Sequence, residues 1–178
     1  MKYLIITILF STSFLFAQDE KSISKFERFI SETGSLTRVE HFNLPDIVAY
    51  SEKLKNKVIV IHSLDEKAYF YQISKSGKYK DKKATITKDD LSEIIRALLS
   101  LIKESENIKT ESDYMESKFT TEDGFRVGFA ISNGGITWFI TLEKYGSDSS
   151  VLFKNYNQLS LSLHTAKKKI DELRSNSD

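Results

Sequence analysis

The feature that most constrains the fold is a pattern that occurs twice in the chain. Residues 68–77 read AYFYQISKSG and residues 137–146 read TWFITLEKYG, so aromatic, apolar, lysine and glycine positions coincide. In both places a short strand and an amphipathic helix follow the glycine. Because the apolar phase is kept across the whole unit, the sequence predicts a structural repeat.

Each predicted unit is a four-stranded antiparallel meander followed by one helix. Alternating apolar residues predict the strands, because successive side chains of a strand point to opposite faces. Apolar residues at helical spacing predict one helix around residues 91–102 and another around residues 159–173. The predicted fold class is therefore α+β, with two pseudo-repeated antiparallel ββββα units, about 35–106 and 111–174, and helices packed on one face of the sheet.

Extra helices are predicted ahead of the first meander. Residues 23–30 carry apolar side chains at helical spacing. Pro45 suits the first turn of another helix, in which Ile47, Tyr50 and Leu54 continue one face. These N-terminal helices have no predicted counterpart in the second unit.

Residues 1–17 have the pattern of a secretory signal peptide. Lys2 supplies the positive start, residues 3–16 are mostly apolar, and Ala17 is a small residue suited to cleavage. The apolar run is shorter than the roughly 20 residues that span a bilayer. The prediction is a single mature domain, residues 18–178, that has no membrane span and is periplasmic or secreted. An uncleaved N-terminal anchor and a buried first strand are the competing interpretations.

Composition excludes several kinds of site. The chain has no cysteine, which excludes a disulfide framework, a thiolate metal site and a cysteine nucleophile. A formal net charge of +1 gives no bulk attraction to nucleic acid or to an anionic membrane. The three histidines, His41, His62 and His164, lack a second His or Cys at metal-ligand spacing. Neither a metal nor a cofactor is predicted.

The sequence contains no convergent set of catalytic residues. Acidic pairs at 65–66, 89–90 and 122–123 fall in predicted turns or helix starts, where carboxylates have a structural role. There is no G-x-S-x-G elbow, phosphate-binding loop or dinucleotide fingerprint. A hydrolase that uses the acidic residues, His41 or His62 stays an alternative to a non-catalytic domain.

The strongest candidate for binding is the predicted hairpin at residues 75–83, KSGKYKDKK. Its five lysines surround Tyr79, whereas the equivalent loop at residues 144–150 has one lysine and one aspartate. A basic loop with an aromatic residue can contact phosphates and stack a base. It can equally meet an acidic glycan, an anionic headgroup or an acidic protein. The structural alternative is a solvated hairpin tip whose lysines protect it from aggregation.

Phe70 and Phe139 are further candidates. By the period-two rule they point away from the apolar face of their strands. If helices cover only that apolar face, the other face exposes aromatic surface, which typically marks an interaction site. The candidate binding residues are Lys75, Lys78, Tyr79, Lys80, Lys82, Lys83, Phe70 and Phe139.

Two ββββα units in tandem resemble the PUR-type single-stranded nucleic-acid-binding repeat family in element order, over about residues 36–174. The resemblance implies that layout and binding of nucleic acid or another polyanion, and it carries over no functional residue. The leader MKYLIITILFSTSFLFAQ is similar to those of small uncharacterised secreted proteins of Gram-negative bacteria. The predicted function is an exported, non-catalytic binding domain whose partner is an envelope or extracellular protein or a polyanion.

Overall fold

The computed structural model describes residues 23–31, 36–63, 66–144 and 148–176, so the predicted signal peptide lies outside the described residues. The described residues form three helices and nine strands. In chain order these are α1 (Lys25–Ile30), β1 (Thr37–Asn43), β2 (Ile47–Val48), β3 (Lys53–Ser63), β4 (Glu66–Lys75), β5 (Lys82–Thr87), α2 (Lys88–Asn107), β6 (Tyr114–Thr120), β7 (Arg126–Ser132), β8 (Gly135–Thr141), β9 (Ser150–Phe153) and α3 (Asn157–Ser175). None of the helices in these ranges combines the length and apolarity needed to cross a bilayer.

The strands form two antiparallel sheets. The first has the order β1-β3-β4-β5, and the two-residue strand β2 pairs with the same long strand β3 that pairs with β1. The second has the order β6-β7-β8-β9. An α+β fold with antiparallel sheets, predicted from the sequence, is confirmed.

A single apolar core joins both sheets to the two long helices. α2 packs against α3 and contacts strands of both sheets, whereas α3, which follows the second sheet, lies against β2 and β3 of the first. The core includes Tyr71 of the first sheet, Phe129 of the second, Leu98 of α2 and Leu163 of α3, all almost fully buried. The two sheets therefore share their stabilising contacts.

Local signals explain where several elements begin and turn. Thr87 is the N-cap of α2, and its hydroxyl accepts a hydrogen bond of 3.1 Å from the backbone nitrogen of Asp90. Asn133 and Gly134 have positive φ angles of 50° and 74°, which the tight turn between β7 and β8 requires. Both features follow from residue types that the sequence displays directly.

The helix predicted to begin at Pro45 is wrong. Ile47 pairs with Leu54 across β2 and β3, so the segment is a short hairpin. Charged and buried residues alternate from Lys53 onward, which is the period of a strand. Pro45 lies in the connection before β2, where its carbonyl accepts a 2.7 Å hydrogen bond from the side-chain amide of Asn56.

Helices lie on both faces of the first sheet. Ile59 and Ile61 of β3 and Phe70 of β4 form a second apolar cluster, which Phe26 and Phe29 of α1 cover. Neighbouring β3 residues belong to the main core, so the second cluster is on the opposite face. The expectation that helices pack on one face only is therefore wrong for α1.

Candidate functional site

A cleft of about 460 Å³ lies between α1, β5 and the turn that joins β6 to β7. We name it the lysine cleft, because Lys80 and Lys83 of the predicted basic hairpin line it. The apolar part of its lining consists of Phe26, Ile30, Ala84, Ile86, Phe125 and Leu142. The cleft therefore combines apolar surface with three cationic side chains, those of Lys80, Lys83 and Lys144.

The turn at residues 121–125 forms one wall of the cleft. The backbone nitrogen and the hydroxyl of Thr121 both donate to the carbonyl of Phe125. The backbone nitrogen of Phe125 donates to the same hydroxyl, so the loop is fixed by three hydrogen bonds. Gly124 has a φ of +87°, and a Cβ placed there would lie 2.3 Å from the Cβ of Lys144. Only glycine allows this backbone conformation together with such a close approach. The acidic pair at residues 122–123 lies in this turn, as its sequence context predicts.

Two carboxylates of the lysine cleft are engaged by Lys25 of α1. The Lys25 ammonium lies 2.9 Å from Asp90, and its backbone nitrogen donates to Asp123 at 3.2 Å and 3.3 Å. The Asp90 hydrogen bond raises the pKa of Lys25. Burial raises the pKa of Asp123. Two of the acidic pairs noted in the sequence thus meet at one lysine.

The other acidic residues of the cleft also have partners inside the protein. Glu143 accepts a 3.0 Å hydrogen bond from the Lys82 ammonium. Glu27 accepts from the backbone nitrogen of Ser24 at 3.2 Å, and the Ser24 hydroxyl caps α1 in return. The cleft therefore presents no carboxylate that lacks a partner.

The five lysines of the predicted hairpin divide into two groups. Lys75, whose side chain is 11% exposed, donates to the carbonyl of Ser150 at 3.1 Å and to Glu52 at 3.4 Å. Lys82 bonds Glu143 beyond the end of β8. Lys75 and Lys82 thus tie the hairpin to the second half of the chain and are not free cations.

The remaining lysines of the hairpin are Lys78, Lys80 and Lys83, and all three are exposed. Across the ranges that the structure describes, none of these three ammonium groups forms an ion pair. Tyr79 is 91% exposed at the tip, with the Lys78 ammonium 5.1 Å from its ring centroid. Lys80 and Lys83 face the lysine cleft, and Lys78 and Tyr79 form the tip.

The predicted aromatic face is wrong at Phe70. Phe70 is 3% exposed, and the rings of Phe26 and Phe29 lie 5.1 Å and 6.1 Å from it at 89° and 65°. Phe139 is half-buried and pairs with Leu152 across β8 and β9. The sequence placed both residues on the outward faces of their strands but gave no sign that α1 covers the first.

The histidines do not gather into a site. His62 lies 3.1 Å from Glu40, and His41 lies 3.3 Å from Lys57. Burial and the nearby Lys57 ammonium lower the pKa of His41. No cluster of three or more His, Cys, Asp or Glu side chains suited to a metal ion occurs within the described ranges.

Sequence reasoning missed the role of Lys25. The Ser-x-x-Glu pattern of Ser24 and Glu27 marks the start of α1, within residues 23–30 where helical spacing predicts a helix. No local pattern pairs Lys25 with Asp90 and Glu122, because these residues are distant in the chain.

Comparison with known proteins gives little likeness. No protein-family model matches the chain, and no curated protein matches it. A solved chain described as "Mutations in SsgB correlate to longitudinal cell division during sporulation of Streptomyces coelicolor" is 16% identical, with 76% of this chain and 90% of that chain covered. Its TM-score of 0.28 carries no argument about fold or function.

Proposed function

We propose that the chain is a non-catalytic binding domain that takes an organic anion with an apolar body in the lysine cleft. The observation that carries the proposal is the difference in charge pairing around the cleft. Lys80 and Lys83 form no ion pair among the described residues, whereas the lining carboxylates have partners. Because those carboxylates already hold Lys25 and Lys82, the proposal is for binding and not for hydrolysis.

The physical chemistry of the cleft favours such a ligand. Ile30, which is 44% exposed, and the half-buried Phe26 offer apolar surface to the body of the ligand, and burial of this surface contributes about 25 cal/mol per Å². The ammonium groups of Lys80 and Lys83 offer charge-assisted hydrogen bonds, each worth about 0.2–1 kcal/mol at an exposed position. Affinity is expected to fall with salt, because exposed charges are screened.

Replacement of Lys80 and Lys83 by serine is expected to weaken binding of anilinonaphthalene sulfonate about tenfold, which corresponds to about 1.4 kcal/mol. This probe has one anionic group on an apolar aromatic body, and its fluorescence increase gives the dissociation constant. The matched control is Lys103→Ser with Lys109→Ser, which removes the same charge from exposed positions near the end of α2. Equal weakening by the two double variants would contradict the proposal.

A second candidate function is polyanion binding at the hairpin tip, and Tyr79 is the observation that favours it. An exposed ring with the Lys78 ammonium 5.1 Å from its centroid is suited to a base and its phosphates. In this case the chain with Lys78 and Tyr79 replaced by serine would lose binding of a single-stranded oligonucleotide. That binding must also weaken steeply with salt. The same replacements would leave binding of the anion in the lysine cleft unaffected.

The proposed place of action is outside the cytoplasm, after removal of residues 1–17. The support is the leader pattern of residues 1–17. Fractionation of cells is expected to recover the protein from the periplasm or medium with Gln18 as its first residue. Recovery of the full-length chain from the cytoplasm would overturn this part of the proposal.

We also infer that the two halves are structural repeats. The inference is supported by the order of elements, since four antiparallel strands precede α2 and four precede α3, with β2 as an addition to the first half. Tyr71 and Ile140 are both fully buried at matching positions, and Phe70 and Phe139 are on the outward faces. Such a repeat would account for the shared aromatic pattern of β4 and β8.

A further inference from the structure

α1 is too short to be a stable helix by itself. It has six residues, and none of them is fully buried. Isolated helices shorter than about 12–15 residues are marginal in water. Its capping box helps the first turn, but the helix depends mainly on the surface beneath it.

The apolar part of that surface is the cluster around Phe70. Phe26 and Phe29, one helical turn apart, both meet the Phe70 ring edge to face. Ile59 and Ile61 complete the cluster, which is separate from the main core. The cluster therefore behaves as an apolar surface with α1 as its cover.

The polar part of the same surface is a group of carboxylates near Lys25. The Lys25 ammonium lies 2.9 Å from Asp90 and 3.4 Å from Glu122, and Asp123 accepts from the Lys25 backbone. Desolvation at this site opposes the charge on Lys25, but its carboxylate hydrogen bonds outweigh that cost and raise its pKa. The surface thus binds a cation and an aromatic ring that come from consecutive residues of α1.

α1 lies as a ridge between two open clefts. Phe26 and Ile30 border the lysine cleft on one side. On the other side, Phe29 borders a cleft of about 440 Å³ that Tyr69 and Arg174 also line. We name the surface directly below α1, which lies between these two clefts, the α1 groove.

We propose that the α1 groove is a peptide-binding site for a partner protein, and that α1 is its competing intramolecular occupant. The partner segment is a short helix with a basic residue followed at the first and fourth positions by aromatic residues, as in Lys25, Phe26 and Phe29. This chemistry follows from charge complementarity to Asp90 and Glu122 and from the two ring contacts to Phe70. The inference does not rest on the anion proposed for the lysine cleft.

The test uses the full chain with Phe26→Ala and Phe29→Ala, which weakens the intramolecular occupant. A fluorescent peptide of residues 24–31, SKFERFIS, is titrated with this variant and with the wild-type chain, and polarisation is measured. The variant is expected to bind the peptide at least tenfold more tightly than the wild type, whose groove is occupied. Binding is expected to survive Lys80→Ser with Lys83→Ser, which separates this result from the anion proposal.

Peptide variants supply the matched controls. The peptide with both phenylalanines replaced by alanine, and the peptide with Lys25→Glu, are expected to lose binding. The peptide with Arg28→Gln is expected to keep it, because Arg28 is exposed. Equal binding of all these peptides would overturn the proposal. It would show that the groove does not recognise a basic residue followed by the two aromatic residues.

A second full-chain variant keeps the test valid if the double alanine variant fails to fold. Lys25→Glu places a negative charge next to Asp90 and Glu122 and is expected to undock α1 without changing an aromatic side chain. Failure of both variants to bind the wild-type peptide while Trp138 fluorescence remains native would overturn the proposal. A wild-type chain that dimerises through exchange of α1 would also overturn it, because the partner would then be a second copy.

Discussion

Replacement of Leu163 by alanine is expected to lower the free energy of unfolding by about 3 kcal/mol. Leu163 is fully buried on α3, in the core that both sheets share. Removal of its side chain leaves a cavity that close-packed neighbours cannot fill without moving. Urea unfolding followed by Trp138 fluorescence and by far-ultraviolet circular dichroism gives the measurement.

The matched control is Leu161→Ala on the same helix. Leu161 is 63% exposed, so its removal is expected to change stability by less than about 0.5 kcal/mol. Because Trp138 is in the second sheet and α3 packs against the first, one core requires both probes to report a single transition. Two separated transitions would contradict a shared core.

Replacement of Phe70 by alanine is expected to cost about 3 kcal/mol, near the lower end of the range for a buried phenylalanine. The loss combines burial of the ring on β4 with its contacts to Phe26 and Phe29 of α1. The same substitution at Phe139 is expected to cost only about 1 kcal/mol, because that side chain is half-buried.

The pair of variants isolates the effect of α1, because the two residues occupy similar positions. Each is on the outward face of a strand that lies next to the edge strand of its sheet, in similar sequence surroundings. The measurement is the free energy of unfolding in urea, with hydrogen exchange of the α1 amides as a second readout. Phe70→Ala is expected to speed exchange in α1, and Phe139→Ala is expected to leave it unchanged. Equal losses of stability with protected α1 amides in both variants would show that α1 does not depend on Phe70.

Much of the fold follows from local patterns in the sequence. The helical spacing of Leu91, Leu98, Leu159 and Leu163 fixes which face of each long helix is buried, and the structure buries those residues. Thr87 marks the start of α2 because a hydroxyl at that point replaces a missing helical partner. Such signals act over a few residues, so they are visible without knowledge of the rest of the chain.

The incorrect helix after Pro45 shows how two periods compete. Ile47, Tyr50 and Leu54 have helical spacing, but the alternation that begins at Lys53 has the spacing of a strand and continues into β3. Pairing with β4 along the length of β3 decides between them. Tertiary contacts of this kind override a local pattern of three residues.

The site was only partly predictable from the sequence for the same reason. The hairpin lysines are evident in the sequence, but their division into ties and free cations depends on Glu52, Glu143 and Ser150, which other elements bring near. The cover of Phe70 by α1 likewise depends on contacts between distant segments. Sequence composition predicts a basic hairpin, and the packing of the second half decides which of its charges face the cleft.

The most direct test of the binding account is to map the backbone amide shifts of the protein during titration with anilinonaphthalene sulfonate. We expect the largest shifts to cluster around the lysine cleft, at Lys83, Thr85, Phe125 and Glu143, and their titration midpoint to rise about tenfold in the variant with Lys80→Ser and Lys83→Ser. Shifts that cluster instead at the smaller apolar cleft between Pro45, Ile47 and Thr165, or at the Tyr79 tip, would contradict it.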